Sequence, residues 1–163
     1  MQHQPDNNII FKNKVQALLE QTGKKIYREQ DINNKYGLTV INHMMIFNNN
    51  KYFICFYDMI GNNSIPLANF NNFVKDVNNI SNHKQMSGFG IIISNKSFSL
   101  PSKSQMEIEN NKYQNSSFTY FYSISDLNET KLLQKIHYFL HSKQIYMYDH
   151  DGDCIMADSS VNL

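Results

Sequence analysis

Three groups of side chains in this sequence are of a type and spacing that could do chemistry. The first lies in the run Lys51 to Tyr57 (KYFICFY), where Cys55 and Tyr57 stand two residues apart. Both would project from the same face of a strand, and the adjacent Asp58 from the other. A hydrolytic Mg²⁺ centre holds its hard cation with oxygen ligands, carboxylates foremost. A thiol and a phenol are poor Mg²⁺ ligands, so this spacing presents two residues to one face without the groups that metal chemistry requires. The second group is His137 and His141, four apart on a helical stretch and able to share a transition metal. The intervening residues are Tyr-Phe-Leu rather than the Glu-containing zinc-protease pattern, so they read as a helix flank. The third is Asp149-His150-Asp151-Gly152-Asp153. As a calcium loop it lacks the distal bidentate Glu, and a polar hairpin turn accounts for it better. No metal site, catalytic residue or cofactor is expected.

The elements that would position these residues follow from periodicity. Phe11, Val15, Leu18, Leu19 and Thr22 fall on one helical stripe within Ile9–Thr22, which Gly23 ends. Lys24–Gln30 suits a short edge strand, and Asp31–Lys35 has loop chemistry. Leu38–Phe47 and Lys51–Tyr57 are β-forming, and the Asn48-Asn49-Asn50 triplet between them suits the turn of an antiparallel hairpin. Leu67, Phe70, Phe73, Val74, Val77 and Ile80 predict a helix from Pro66 to Ile80 with a broad apolar face. Gly88–Ser94 (GFGIIIS) reads as a strand covered on both sides. A short helix follows, opened by Ser99-Leu100-Pro101-Ser102 and running to about Glu109. Then come a strand Phe118–Ile124 and a helix capped by Asp126 and running through Lys143, with Leu132, Leu133, Ile136, Phe139 and Leu140 inward. Residues 145–157 close the chain as a hairpin about Asp151-Gly152. The sum is one α/β domain over residues 1–163, its core at about 9–143.

Composition narrows the function classes. The chain has 163 residues, 41% of them hydrophobic, enough for one real core and too many for a disordered chain. Asn occurs 23 times, mostly on outer faces and between apolar segments, and Lys outnumbers Arg fourteen to one. Both biases fit an AT-rich coding genome, viral or microbial. A single Arg (Arg28) weighs against base-specific reading of DNA. The net charge of +1 supplies no strong electrostatic pull on nucleic acid. Lys12, Lys14, Lys24, Lys25 and Arg28 do cluster early, and Lys24, Lys25 and Arg28 are the candidate nucleic-acid contacts. Phe118, Tyr120, Phe121 and Tyr122 could stack on bases, although alternation places half of them in the core. Two Cys far apart form neither a disulfide framework nor a zinc site. The polar start MQHQPDNN lacks a signal-peptide core, and no apolar run reaches a membrane span. The expectation is a soluble intracellular protein, cytoplasmic, nuclear or in a virion, with no membrane partner.

The order helix, hairpin, amphipathic helix and buried strand GFGIIIS resembles the core of the PD-(D/E)xK nuclease superfamily, most closely the Mrr-type restriction endonucleases. The likeness spans about residues 9 to 125 and rests on element order and spacing. It implies a restriction-endonuclease-like three-layer sandwich, a central mixed sheet flanked by helices. The family has an Asp on its first strand, an acid or Gln on the second, a Lys two positions on, and Phe-Glu in the first helix. Here the corresponding residues are Thr39 (or Asn42 if the register slips by three), Cys55, Tyr57 and Phe11-Lys12. The resemblance therefore implies a pseudoenzyme whose vestigial positions Lys12, Thr39, Cys55 and Tyr57 converge near the first helix. Its role would be that of a nucleic-acid-associated or protein-binding module. An active metal-dependent endonuclease with migrated ligands is the alternative within the family.

The chain is also similar to the N-terminal jaw domain of the fifth subunit of eukaryotic-type RNA polymerases, itself a degenerate version of the same fold. The matching residues are Leu38-Thr39-Val40, Phe53-Ile54-Cys55-Phe56, Ile91-Ile92-Ile93 and Leu100-Pro101-Ser102. The subunit's H-x-L-V-P assembly segment has no counterpart, so the likeness extends to a jaw domain alone. It implies transcription proteins as partners. The Asp149–Asp153 run resembles the D-x-D-G motif of haloacid-dehalogenase phosphatases, but only ten residues follow it, leaving no room for the later motifs.

Overall fold

Apolar residues at helical spacing and β-branched runs between them fix most of the architecture. The computed structural model describes residues 7–47, 52–60, 64–96, 99–111, 119–141, 145–148 and 154–158. Helix α1 (Asn7–Glu20) leads into strand β1 (Ile26–Arg28), helix α2 (Glu29–Tyr36) and strands β2 (His43–Phe47) and β3 (Tyr52–Met59). Helix α3 (Leu67–Lys84), β4 (Ser87–Ser94), α4 (Leu100–Asn110), β5 (Thr119–Ser125) and α5 (Glu129–His141) follow. Strands β6 (Ile145–Tyr148) and β7 (Cys154–Asp158) form a separate antiparallel pair.

The main sheet runs in sequence order, β1-β2-β3-β4-β5. β1, β2 and β3 pair antiparallel, whereas β3, β4 and β5 pair parallel, linked by the crossover helices α3 and α4. Each face has its own core. Phe11, Val15 and Leu19 of α1 and Leu132, Ile136 and Leu140 of α5 pack on Ile54, Phe56, Ile91 and Ile93. On the other face Phe70, Phe73, Val77 and Ile80 of α3, with Ile32 of α2, cover Phe53, Cys55, Ile92 and Phe121. Period-two alternation explains the split, since neighbouring residues of β3 and β4 enter opposite cores. The chain is thus an α/β fold with a five-stranded mixed sheet between helices. Among the described residues, no helix is long and apolar enough to cross a membrane.

Three sequence expectations need correction. Asp31–Lys35 is helix rather than loop. Asp31 Oδ2 accepts the Arg28 backbone N–H at 3.4 Å, Ile32 is buried, and Gly37 ends the turn at φ +91°. Residues 38–42 are not part of β2, which starts at His43. Side chains have taken their backbone donors: Asn33 Oδ1 accepts from Thr39 N (3.0 Å) and Asp76 Oδ2 from Val40 N (2.9 Å). The last helix begins three residues after Asp126, because Asn128 caps it by accepting Lys131 N at 3.0 Å, while Asp126 accepts Asn128 N at 2.9 Å. The short helix α4 starts where its Ser and Pro residues predict, with Ser99 Oγ accepting Ser102 N at 3.3 Å. The Asn48–Asn50 turn, Phe118, Lys143 and the Asp149–Asp153 run lie outside the described residues.

Candidate functional site

Strand register decides which polar groups meet. His43 pairs with Phe56 across the β2–β3 ladder, so the two side chains share a face, and Asp58 lies two residues beyond Phe56 on that same face. Phe56 belongs to the core under α1. His43 and Asp58 therefore come together beneath α1, with His43 Nδ1 3.2 Å from Asp58 Oδ2 and their side chains 7% and 0% exposed. The contact is within ion-pair range but misaligned for a hydrogen bond, leaving His43 Nδ1 and both Asp58 carboxyl oxygens buried without one. Asn42 completes the cluster. Its backbone N–H donates to Phe56 O at 2.8 Å, and its side-chain Oδ1 accepts Asp58 N at 2.7 Å. That amide thus takes the ladder bond β2 would have made had it begun two residues earlier.

Asn42 and His43 line a cleft of about 630 Å³ between α1 and the β1–α2 segment. Lys12 and Gln16 of α1 line one wall, Arg28, Glu29 and Asn33 the other. Arg28 is tied to Glu20 at 3.2 Å. Hydrogen bonds from Gln16 and Arg28 hold the Glu20 carboxyl below its usual pKa. Asn42 Nδ2 reaches Glu29 Oε2 at a long 3.4 Å. Among the described residues Lys12 makes no hydrogen bond or ion pair.

The four vestigial positions do not converge. Cys55 and Tyr57 share a face, but it is the α3 face, across the sheet from α1 and Lys12. Cys55 is fully buried there, and desolvation pushes its thiol far above the usual range. Tyr57 stacks at a tilt on Phe73, 5.7 Å between centroids, while its hydroxyl accepts from Asn69 Nδ2 at 3.1 Å. Thr39 sits in the loop before β2, its hydroxyl on Asn33 Oδ1 at 3.3 Å. The expected convergence assumed that α1 covers the Cys55 face, whereas α3 covers it. The opposite orientation expected for Asp58 is the one found, and that face holds the buried polar cluster. The Asn42-His43 pair at the entry to β2 was its available sequence signal.

Lys14 pairs with Glu129 at 3.0 Å, Arg28 with Glu20 at 3.2 Å, and Lys25 lies over the Tyr27 ring at 4.9 Å. Tyr120 and Phe121 are buried and Tyr122 is half-buried, which removes an exposed stacking platform among the described residues. His137 and His141 are exposed with rings 4.1 Å apart. Among the described residues no three His, Cys, Asp or Glu side chains group as metal ligands would. Comparison with protein-family models, with curated proteins and with solved structures finds no match to this chain.

Proposed function

We propose that this chain is a catalytically degenerate protein of PD-(D/E)xK-like fold that works as a nucleic-acid-associated or protein-binding module. The observation that carries this reading is the use made of polar groups on the β2–β3 hairpin. On the α3 face Cys55 and Tyr57 are packing residues. On the α1 face Asp58, the one buried carboxylate among the described residues, is engaged with His43. Metal-assisted phosphodiester cleavage needs several carboxylates around one cation, and among the described residues neither face gathers them. The deciding experiment incubates the full chain with plasmid DNA and Mg²⁺ or Mn²⁺, alongside thermal unfolding with and without the metal. No cleavage and no metal-dependent rise in Tm are expected, since a ligand of the native state alone must raise it. Cleavage lost in Asp58→Asn or Glu20→Gln would establish the migrated-ligand endonuclease instead.

A polymerase-jaw-like role is the second reading. It is favoured by the helix start after β4, where the Leu100-Pro101-Ser102 segment is anchored by Ser102 Oγ donating to Ile65 O at 3.0 Å. Co-purification with large polymerase subunits supports it, and their absence from a pull-down counts against it.

A further inference from the structure

We infer that the cleft between α1 and α2 binds a phosphoryl group, held chiefly by Lys12 and His43. Two features of the cleft point to an anion. Lys12 lines it and is without a partner among the described residues. Arg28 at the rim is matched by Glu20 and Glu29 stands on the far wall, so Lys12 is the cation left to meet a ligand on the α1 side. At the floor, His43 is nineteen-twentieths buried, with Nδ1 turned to the Asp58 carboxylate. That leaves Nε2 as the ring nitrogen available to a ligand. With Asp58 behind Nδ1, Nε2 is the nitrogen turned to the cleft, an acceptor in the neutral ring and a donor when both nitrogens carry protons.

Other ligand classes fit less well. An apolar ligand would cover His43 Nε2 with groups that cannot hydrogen-bond, at the cost of leaving it unsatisfied. A cation would face Lys12 on the α1 wall. Glu29 on the far wall would repel a second anionic group, so the site takes one phosphoryl group and not a polyphosphate. Gln16 Oε1, buried and without a hydrogen bond, offers an acceptor on the same wall for a hydroxyl of the ester. An internucleotide phosphate would make this the contact point of the module proposed above, and in that form the inference rests on that reading. A free phosphomonoester would make it a small-molecule site independent of it.

The test follows the His43 imidazole resonances by NMR in the full chain, at constant ionic strength. The titrants are inorganic phosphate, adenosine 5′-monophosphate and a short single-stranded oligonucleotide. Saturable shifts of His43 are expected, weakened about tenfold by Lys12→Ala, the loss of one charge-assisted contact. Lys103→Ala, on α4, serves as the control and should leave them unchanged. Lys12 is partly exposed and unpaired, so its variant keeps the fold even if His43→Gln does not. No shift, or one insensitive to Lys12→Ala, overturns the inference. Tighter binding of the oligonucleotide than of the monophosphate assigns the backbone phosphate, and the reverse order assigns the free monoester. Oligonucleotide binding that ignores Lys12→Ala and leaves His43 unshifted overturns the cleft site while the module reading stands. Phosphate binding in the cleft without oligonucleotide binding removes the nucleic-acid partner and keeps the site.

Discussion

His43 and Asp58 sit diagonally across the β2–β3 ladder, 3.2 Å apart and sealed beneath α1, with Asn42 pinning the Asp58 backbone from the side. Each needs the other, because a buried polar group without a counterpart costs more than a matched pair gains. Asp58→Ala should therefore destabilise the fold by about 3 kcal/mol. The double replacement His43→Leu with Asp58→Leu should cost less than the single changes added together. Urea unfolding of the four proteins gives the coupling directly. Strict additivity would show that the two side chains are neighbours without interaction.

Cys55 should be chemically silent in the native protein. It is completely buried between the sheet and α3, where desolvation disfavours the thiolate, and the Asp76 charge acts in the same direction. The thiolate is the reactive form. Iodoacetamide labelling read by peptide mass spectrometry should find Cys55 unmodified under native conditions and modified once denaturant unfolds the sheet. Native labelling of Cys55 at the rate of a free thiol would contradict its burial.

Asp76 links α3 to the loop before β2 by accepting the Val40 N–H at 2.9 Å. Partial burial raises its pKa above 3.8, outweighing the lowering effects of that hydrogen bond and of Lys75. The folded state thus binds the proton more tightly than the unfolded chain, and this group's contribution to stability falls as pH rises from about its unfolded value through its folded one. Asp76→Asn keeps the oxygen acceptor and loses the charge. Relative to wild type it should gain stability between acid and neutral pH, whereas Asp76→Ala should lose about 1 kcal/mol at neutral pH through the orphaned Val40 N–H. Unfolding free energies at several pH values check both. An Asn variant that falls behind wild type on going to neutral pH would reverse the sign.

The sequence made the two faces of the core legible but not which helix covers which. Phe11, Val15 and Leu19 recur at intervals of four and lie buried on α1, and the Phe70–Ile80 stripe does the same on α3, because a broad apolar face must be covered. The α2 helix escaped notice since only Ile32 among its eight residues is buried, and the rest read as turn chemistry. Leu38–Asn42 read as strand from its β-forming residues, yet Asn33 and Asp76 hold its backbone donors from elsewhere in the chain. The candidate site moved faces for a related reason. Period two tells that Cys55 and Asp58 point apart, but only tertiary packing tells that α1 lies over Asp58.

Gly90 offers a sharp test of packing across the α3 face. It pairs with Cys55 on one side and Phe121 on the other, in the middle of the parallel strands. A Cβ built there would lie 2.6 Å from Phe121 Cδ1 and 2.9 Å from Phe73 Cε2. Those two rings already meet edge to face, 6.1 Å apart at 72°, and Phe70 packs on Phe121 at 5.9 Å. Both rings are buried, so one added methyl must displace buried aromatic side chains. Gly90→Ala should cost about 1–3 kcal/mol, the usual range for overpacking a filled core. Phe121→Leu alone should also destabilise, by removing ring contacts. Combined, the shorter side chain makes room for the methyl, so the double variant should be more stable than the sum of the two losses predicts. Chemical denaturation of the three variants measures that coupling. A Gly90→Ala protein as stable as wild type would mean the two rings do not close over the strand as described.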